Sequence, residues 1–338
     1  GLFRILDFKK TLTLKDVVIV MPSRVTSETG FVAGRSNSEV VLDNCIFIGG
    51  NGQIAGTHAS YVGTVSGTQN IYASVDVLLE KLDKKEVTLS EAMTQKVYLA
   101  AGIQEINQDN AESIFKENAS GYYILTEDIT LSESYVATTD TKFTGTLDGH
   151  KHTITVKNGK GMFFDLAGTV KNVTIIKNTA TTAGYGAVAK RARDSAALDN
   201  VYLHVGSTIG DTGGGIVSVV LNKLSLNNVV VRTTMSDNAS RGAVAYKGQT
   251  VTATNLYVIG SLGISGNSYS STPLKINDTV IDSADDRKLT GISITGVMFS
   301  SGADFNTFYS TGYNNLTEYL QTQCEKYLGA EKGGASSN

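Results

Sequence analysis

The sequence predicts an all-β chain, most of it a parallel β-helix solenoid in two modules of roughly 26–28-residue coils. Three observations lead there. Charged residues are only 18% of 338, with 35 Gly and 2 Pro, so surface polarity must come from Ser, Thr, Asn and Gly, a composition suited to strands and tight turns. One strand motif, apolar–x–Asn–apolar–x–apolar, recurs at a near-constant interval. A Gly followed by apolar residues leads each motif by 11 to 15 residues and keeps phase with it.

The first module, 1–75, carries Leu14-Lys15-Asp16-Val17-Val18-Ile19, then Leu42-Asp43-Asn44-Cys45-Ile46-Phe47, then a degraded Thr68-Gln69-Asn70-Ile71-Tyr72-Ala73. Its Gly landmarks are Gly1 and Gly30. Residues 76–117 break the pattern: Glu91-Ala92-Met93 and Ala111 to Lys116 read as short helical pieces of a linker. The second module, 118–312, opens with a lead-in and repeats the motif around Asn172, Asn200, Asn228 and Asn255, at intervals of 28, 28 and 27. Its landmarks are Gly161, Gly186, Gly215 and Gly242. In 313–338, Leu316, Tyr319, Leu320, Cys324, Tyr327 and Leu328 recur at helical spacing, predicting an amphipathic helix that caps the open last coil and a mobile tail.

The physics of such a repeat is cumulative. Alternation in Val173-Thr174-Ile175 sends two side chains to one face and one to the other. Stacked coils place equivalent positions about 4.8 Å apart, so inward Val, Leu and Ile form continuous columns that no coil could bury alone. The four Asn are expected to bond along the axis as a structural ladder, satisfying polar groups at the turn. A leucine-rich repeat of similar period would need a Leu-dominated consensus, which is missing here.

Several function classes recede. A net charge of −3 implies no basic face, hence no nucleic-acid partner. No apolar run reaches the roughly 18–20 residues of a membrane span, and no signal peptide is visible. Cys45 reads as a core residue and Cys324 as a lone thiol on the terminal helix. His58, His150, His152 and His204 form no metal-binding spacing. Asp165, Asp194, Asp199 and Asp211, the carboxylates a polysaccharide-cleaving groove would use, fall at unequal positions in their coils. No catalytic residue, metal site or cofactor is therefore assigned. Thr174, Tyr202, Val230 and Tyr257 share one outward register, so Tyr202 and Tyr257 are candidate ligand-stacking residues. Tyr269, in the Ser- and Gly-rich stretch Ser265 to Ser271, is a third.

The stretch from Tyr122 to about Ile176 resembles bacterial and phage β-helix proteins with GLUG-type repeats. The resemblance rests on Gly121-Tyr122-Tyr123-Ile124-Leu125-Thr126-Glu127-Asp128-Ile129, Phe143-Thr144-Gly145-Thr146-Leu147-Asp148-Gly149-His150, Gly161 to Phe164, and Gly168-Thr169-Val170-Lys171-Asn172-Val173. It implies a non-enzymatic structural or attachment protein, with other virion or surface-assembly proteins and cell-surface glycans as partners. The first module has no such lead-in, because Gly1-Leu2-Phe3 aligns with Gly161-Met162-Phe163. The chain is accordingly read as part of a longer tandem-module polypeptide. The expected setting is a phage virion surface, as a head fibre, decoration or tail component. A bacterial secreted or cell-surface adhesin module and a polysaccharide-degrading β-helix enzyme are the alternatives.

Overall fold

A computed structural model describes residues 2–6, 10–21, 30–50, 52–56, 63–116, 120–132, 142–266, 273–290, 292–300 and 312–328. The chain is mainly β-strand with few helices, and its strands pair in parallel across coil-length separations. It divides into two compact units, Gly1–Gln104 and Glu105–Asn338.

The first unit builds three small parallel sheets. Phe3–Leu6 pairs with Ala33–Ser36; Leu12–Lys15, Val40–Asp43 and Val65–Gly67 form a second sheet; Val18–Met21, Ile46–Gly49 and Asn70–Tyr72 form a third. Leu12 faces Val40 and Ile19 faces Phe47, both 28 residues away, as the motif spacing requires. The third copy departs from the predicted alignment. Leu42 faces Gly67 but Ile46 faces Asn70, so two residues stand where the previous coil has three. No left-handed Asn stands at this shorter corner. Asn70 therefore sits opposite Ile46, not Asn44, and its side-chain amide donates to the Cys45 carbonyl (3.1 Å). Phe31, Phe47, Val40, Leu42 and Cys45 fill the core between these strands.

Helices Val75–Asp83 and Glu91–Ala101 complete this unit. Ser74 and Ser90 cap them, each hydroxyl accepting an amide of the first turn at 3.3 Å. Gly102, left-handed with φ 67°, ends the second. Leu78, Met93 and Val97 bury against Ile46, Ile48 and Tyr72.

The second unit holds longer strands: Thr169–Lys177, Ser195–Val205, Val217–Thr233 and Ala245–Ile259. They make a curled parallel sheet in which Val173 faces Val201, Val201 faces Val229, and Val229 faces Leu256. Pairing skips Asn172, Asn200, Asn228 and Asn255. Their φ values of 49° to 57° turn each strand through a corner without ending it. Asn adopts this left-handed conformation more readily than other non-glycine residues, which explains the motif's constant letter. The step of 27 also has a local cause. Register slips by one residue between Val220 and Lys223, opposite Gly248 and Thr250, so the next corner comes one residue early.

The core runs as columns along the stack. Val170, Leu198 and Leu226, then Val173, Val201, Val229 and Leu256, then Ile175, Leu203, Val231 and Val258, are all essentially inaccessible. Helix Gln108–Lys116 supplies Ala111 and Phe115 to this core, where the Phe163 ring lies between Phe115 (tilted, 5.4 Å between centroids) and Phe143 (stacked, 4.6 Å). Helix Glu318–Leu328 lies not over the last coil, as predicted, but along the flank of the strands. The reason is the apolar column it finds there: Tyr202, Val230, Tyr257 and Ile259 offer more continuous surface than a single terminal coil. The predicted mobile tail, residues 333–338, lies outside the described residues.

Candidate functional site

Side-chain bonds join some of the corners, and among the described residues none links Asn228 to Asn200. Asn172 donates to Asp148 (3.1 Å), Asn200 to Asn172 (2.8 Å) and Asn255 to Asn228 (3.0 Å). Asn44 donates to Asp16 (2.6 Å) in the first unit. A parallel pair adds Asn227 to Asp199 (2.7 Å). Thr317 then joins from the terminal helix. Its hydroxyl donates to Asn200 Oδ1 (2.5 Å) and accepts the Leu320 amide (3.3 Å), so one group caps the helix and anchors it to the ladder.

The tyrosine column is not a surface. Tyr202 is 0% exposed and Tyr257 5%. Tyr319, Leu320, Cys324 and Leu328 cover them, and Tyr327 stacks on Tyr202 at 5.4 Å. Thr174 Oγ1 meets Tyr319 OH at 2.7 Å, and the Arg232 guanidinium donates to the Tyr327 carbonyl. Neither tyrosine can stack on a sugar while the helix is in place. Sequence alternation gave their direction correctly as outward from the core; what it could not show was that the outward face is itself buried. Burial raises the Cys324 thiol to about 12 and, with Arg232 nearby, lowers His204 to about 4. Tyr269 and His58 lie outside the described residues.

Each candidate carboxylate has its own partner. Asp165 is buried between Arg191 and Arg193, Asp194 meets Lys142, Asp199 accepts from Asn227, and Asp211 pairs with Arg241 (2.8 Å). His152 lies 3.4 Å from Asp128. Among the described residues no group of three or more His, Cys, Asp or Glu could hold a metal ion.

What the residues do assemble is a polar cleft of about 410 Å³ between two successive turns, Gly206 to Thr208 and Thr234 to Arg241. Its origin is a local splay. One coil earlier the turns are closed by Thr181 N–H to Thr208 O and Gly210 N–H to Thr181 Oγ1, both 2.9 Å. Here the backbone bonds are Thr234 N–H to Val205 O (3.2 Å) at one edge and Thr212 N–H to Ser240 O (2.8 Å) at the other. Between them Ile209 N–H reaches only the Met235 thioether, a weak acceptor.

A buried arginine braces the second turn. Arg287, 2% exposed, donates to Asp237 Oδ1 (3.2 Å) and to the Asn238 and Arg241 carbonyls (both 3.1 Å), and also to the Ser265 carbonyl. Burial alone would raise the Asp237 carboxyl; the Gly263 amide, Lys288 and Arg287 outweigh it and hold the carboxyl below its usual range. The Ser207 hydroxyl lines the cleft, buried and without a hydrogen-bond partner among the described residues. Sequence reasoning missed this site because a lone Arg287, some fifty residues from Asp237, gives no local signal.

No protein-family model matches this chain, and no curated protein and no solved structure matches it either.

Proposed function

We propose that this protein is a non-enzymatic structural or attachment element exposed on a virion surface, whose curled sheets close into parallel β-helix modules. The supporting observation is the constant corner-to-corner register of the second unit, fixed by left-handed Asn and their mutual hydrogen bonds. Such a stack repeats each turn on the same side at strand spacing, so it can hold shallow contact groups in rigid rows. Weak contacts presented in this way sum through multivalency. Its partners on this reading are neighbouring proteins of the surface assembly and cell-surface glycans.

The separate pairing of Asp165, Asp194, Asp199 and Asp211 supports the non-enzymatic part. Most glycosidases use two carboxyl groups facing each other across about 5–9.5 Å of substrate space, and each of these four has a basic or amide partner of its own. Antibodies raised against the chain, used to label intact particles and bacterial envelopes, test the assignment. Labelling of particle surfaces, with competition by purified protein for adsorption to cells, is the expected result. Envelope labelling alone would move the same element to a bacterial adhesin. Release of reducing ends from surface polysaccharide, abolished by one Asp→Asn change, would overturn the non-enzymatic reading.

A further inference from the structure

We infer that the cleft between the turns Gly206 to Thr208 and Thr234 to Arg241 binds a saccharide through its hydroxyl groups. The inference rests on the attachment reading above and names the site and ligand class that would serve it.

The lining selects the ligand. Small-molecule pockets are usually apolar with a few polar groups. This one reverses the ratio: its wall is more polar than apolar, and Thr208, Thr234, Ser236, Asp237 and Arg241 line it. An apolar ligand would strip water from these groups and return nothing. A polyhydroxylated ligand exchanges bond for bond, its hydroxyls donating to Asp237 and accepting from Arg241. Arg241 spends Nε and Nη2 on Asp211, which fixes the plane of the guanidinium and, among the described residues, leaves Nη1 as a donor.

The site is also built before any ligand arrives. Arg287 ties Asp237 to the Asn238 and Arg241 carbonyls of the same turn, so little ordering remains to oppose binding. The local charge is mixed: Arg241, Arg287 and Lys288 face Asp211 and Asp237. That balance admits both neutral and acidic sugars, which share the hydroxyl chemistry.

Saturation-transfer NMR on the full chain with maltotetraose, chitotetraose and tetragalacturonate tests this and separates the two charge types. Transfer to at least one sugar is expected. Arg241→Ala should weaken it by about tenfold or more, the scale of a charged hydrogen bond. Thr208→Trp, at an exposed position, should abolish it by filling the cleft without breaking the Arg287 bonds. Tyr202→Phe, beneath the helix, should leave it unchanged. Binding that survives both cleft variants would overturn the site while leaving the attachment reading intact. Absence of transfer to all three sugars would overturn the inference, and particle labelling and adsorption would still decide the attachment reading independently.

Discussion

The two units bury the same outward column in different chemistry. In the corner motif, Ile46 of the first unit holds the position that Tyr202 holds in the second, two residues after the left-handed Asn. Ile46 and Ile48 are covered by Leu78, Met93 and Val97, an aliphatic contact. Tyr202, Val230 and Tyr257 are covered by Tyr319, Leu320 and Cys324, with hydrogen bonds from Tyr319 and Thr317 added. In both cases a helix that follows the coils in sequence reaches the ladder corner: Lys96 Nζ donates to the Asp16 carbonyl (2.8 Å), and Thr317 to Asn200. The outward face of the motif strand is thus a helix-docking face in each unit. Ligand chemistry has to be sought at the turns.

Core substitutions should break the comparison most strongly. Phe47→Ala, at the centre of the first unit's three coils, should cost about 3–5 kcal/mol. Chemical denaturation should show it lowering one transition while that of the second unit stays in place, since its columns share no residue with Phe47. A single transition moving as a whole would mean that the units unfold together.

Removing a covering residue should be the next largest effect. Leu320→Ala should cost about 2–5 kcal/mol, measured by denaturant midpoint. Thiol labelling adds a sharper readout: Cys324 should react at the rate of helix opening, faster in Leu320→Ala, while Cys45 in the first unit stays protected. Equal acceleration of both thiols would contradict a helix that detaches by itself.

The corner Asn should come third. Asn200→Ala should cost about 1–2 kcal/mol through left-handed strain alone, and Asn200→Gly should recover that part while still losing the ladder bonds. If Gly and Ala cost the same, the dihedral angle is not what the motif preserves.

The smallest effect is a dependence on pH. His204 is held neutral by burial and by Arg232, with a folded value of about 4 against 6.5 unfolded. Below 6.5 the unfolded state takes up a proton that the folded state refuses, so stability is complete above 6.5 and declines as pH falls towards 4. His204→Gln should flatten this slope in melting temperature measured from pH 7 to 4. An unchanged slope would assign it to carboxylates.

Much of the architecture was legible because a repeat writes the same constraint several times. One Asn at a corner is unremarkable; Asn172, Asn200, Asn228 and Asn255 in phase identify a position that needs left-handed backbone. Asn70 shows the limit. It matches by letter, yet its corner is one residue shorter, and only strand pairing reveals that it faces Ile46.

The sequence by itself determined the coil period, the inward columns and the helical spacing of Leu316 to Leu328, because alternation and periodicity are local properties of the chain. Tertiary structure alone decided where that helix docks, and therefore that Tyr202 and Tyr257 are covered. It also decided the cleft, which depends on two turns failing to close and on Arg287 arriving from a distant segment to brace them. Burial and splay depend on which surfaces meet, and that is set by packing between segments far apart in the chain.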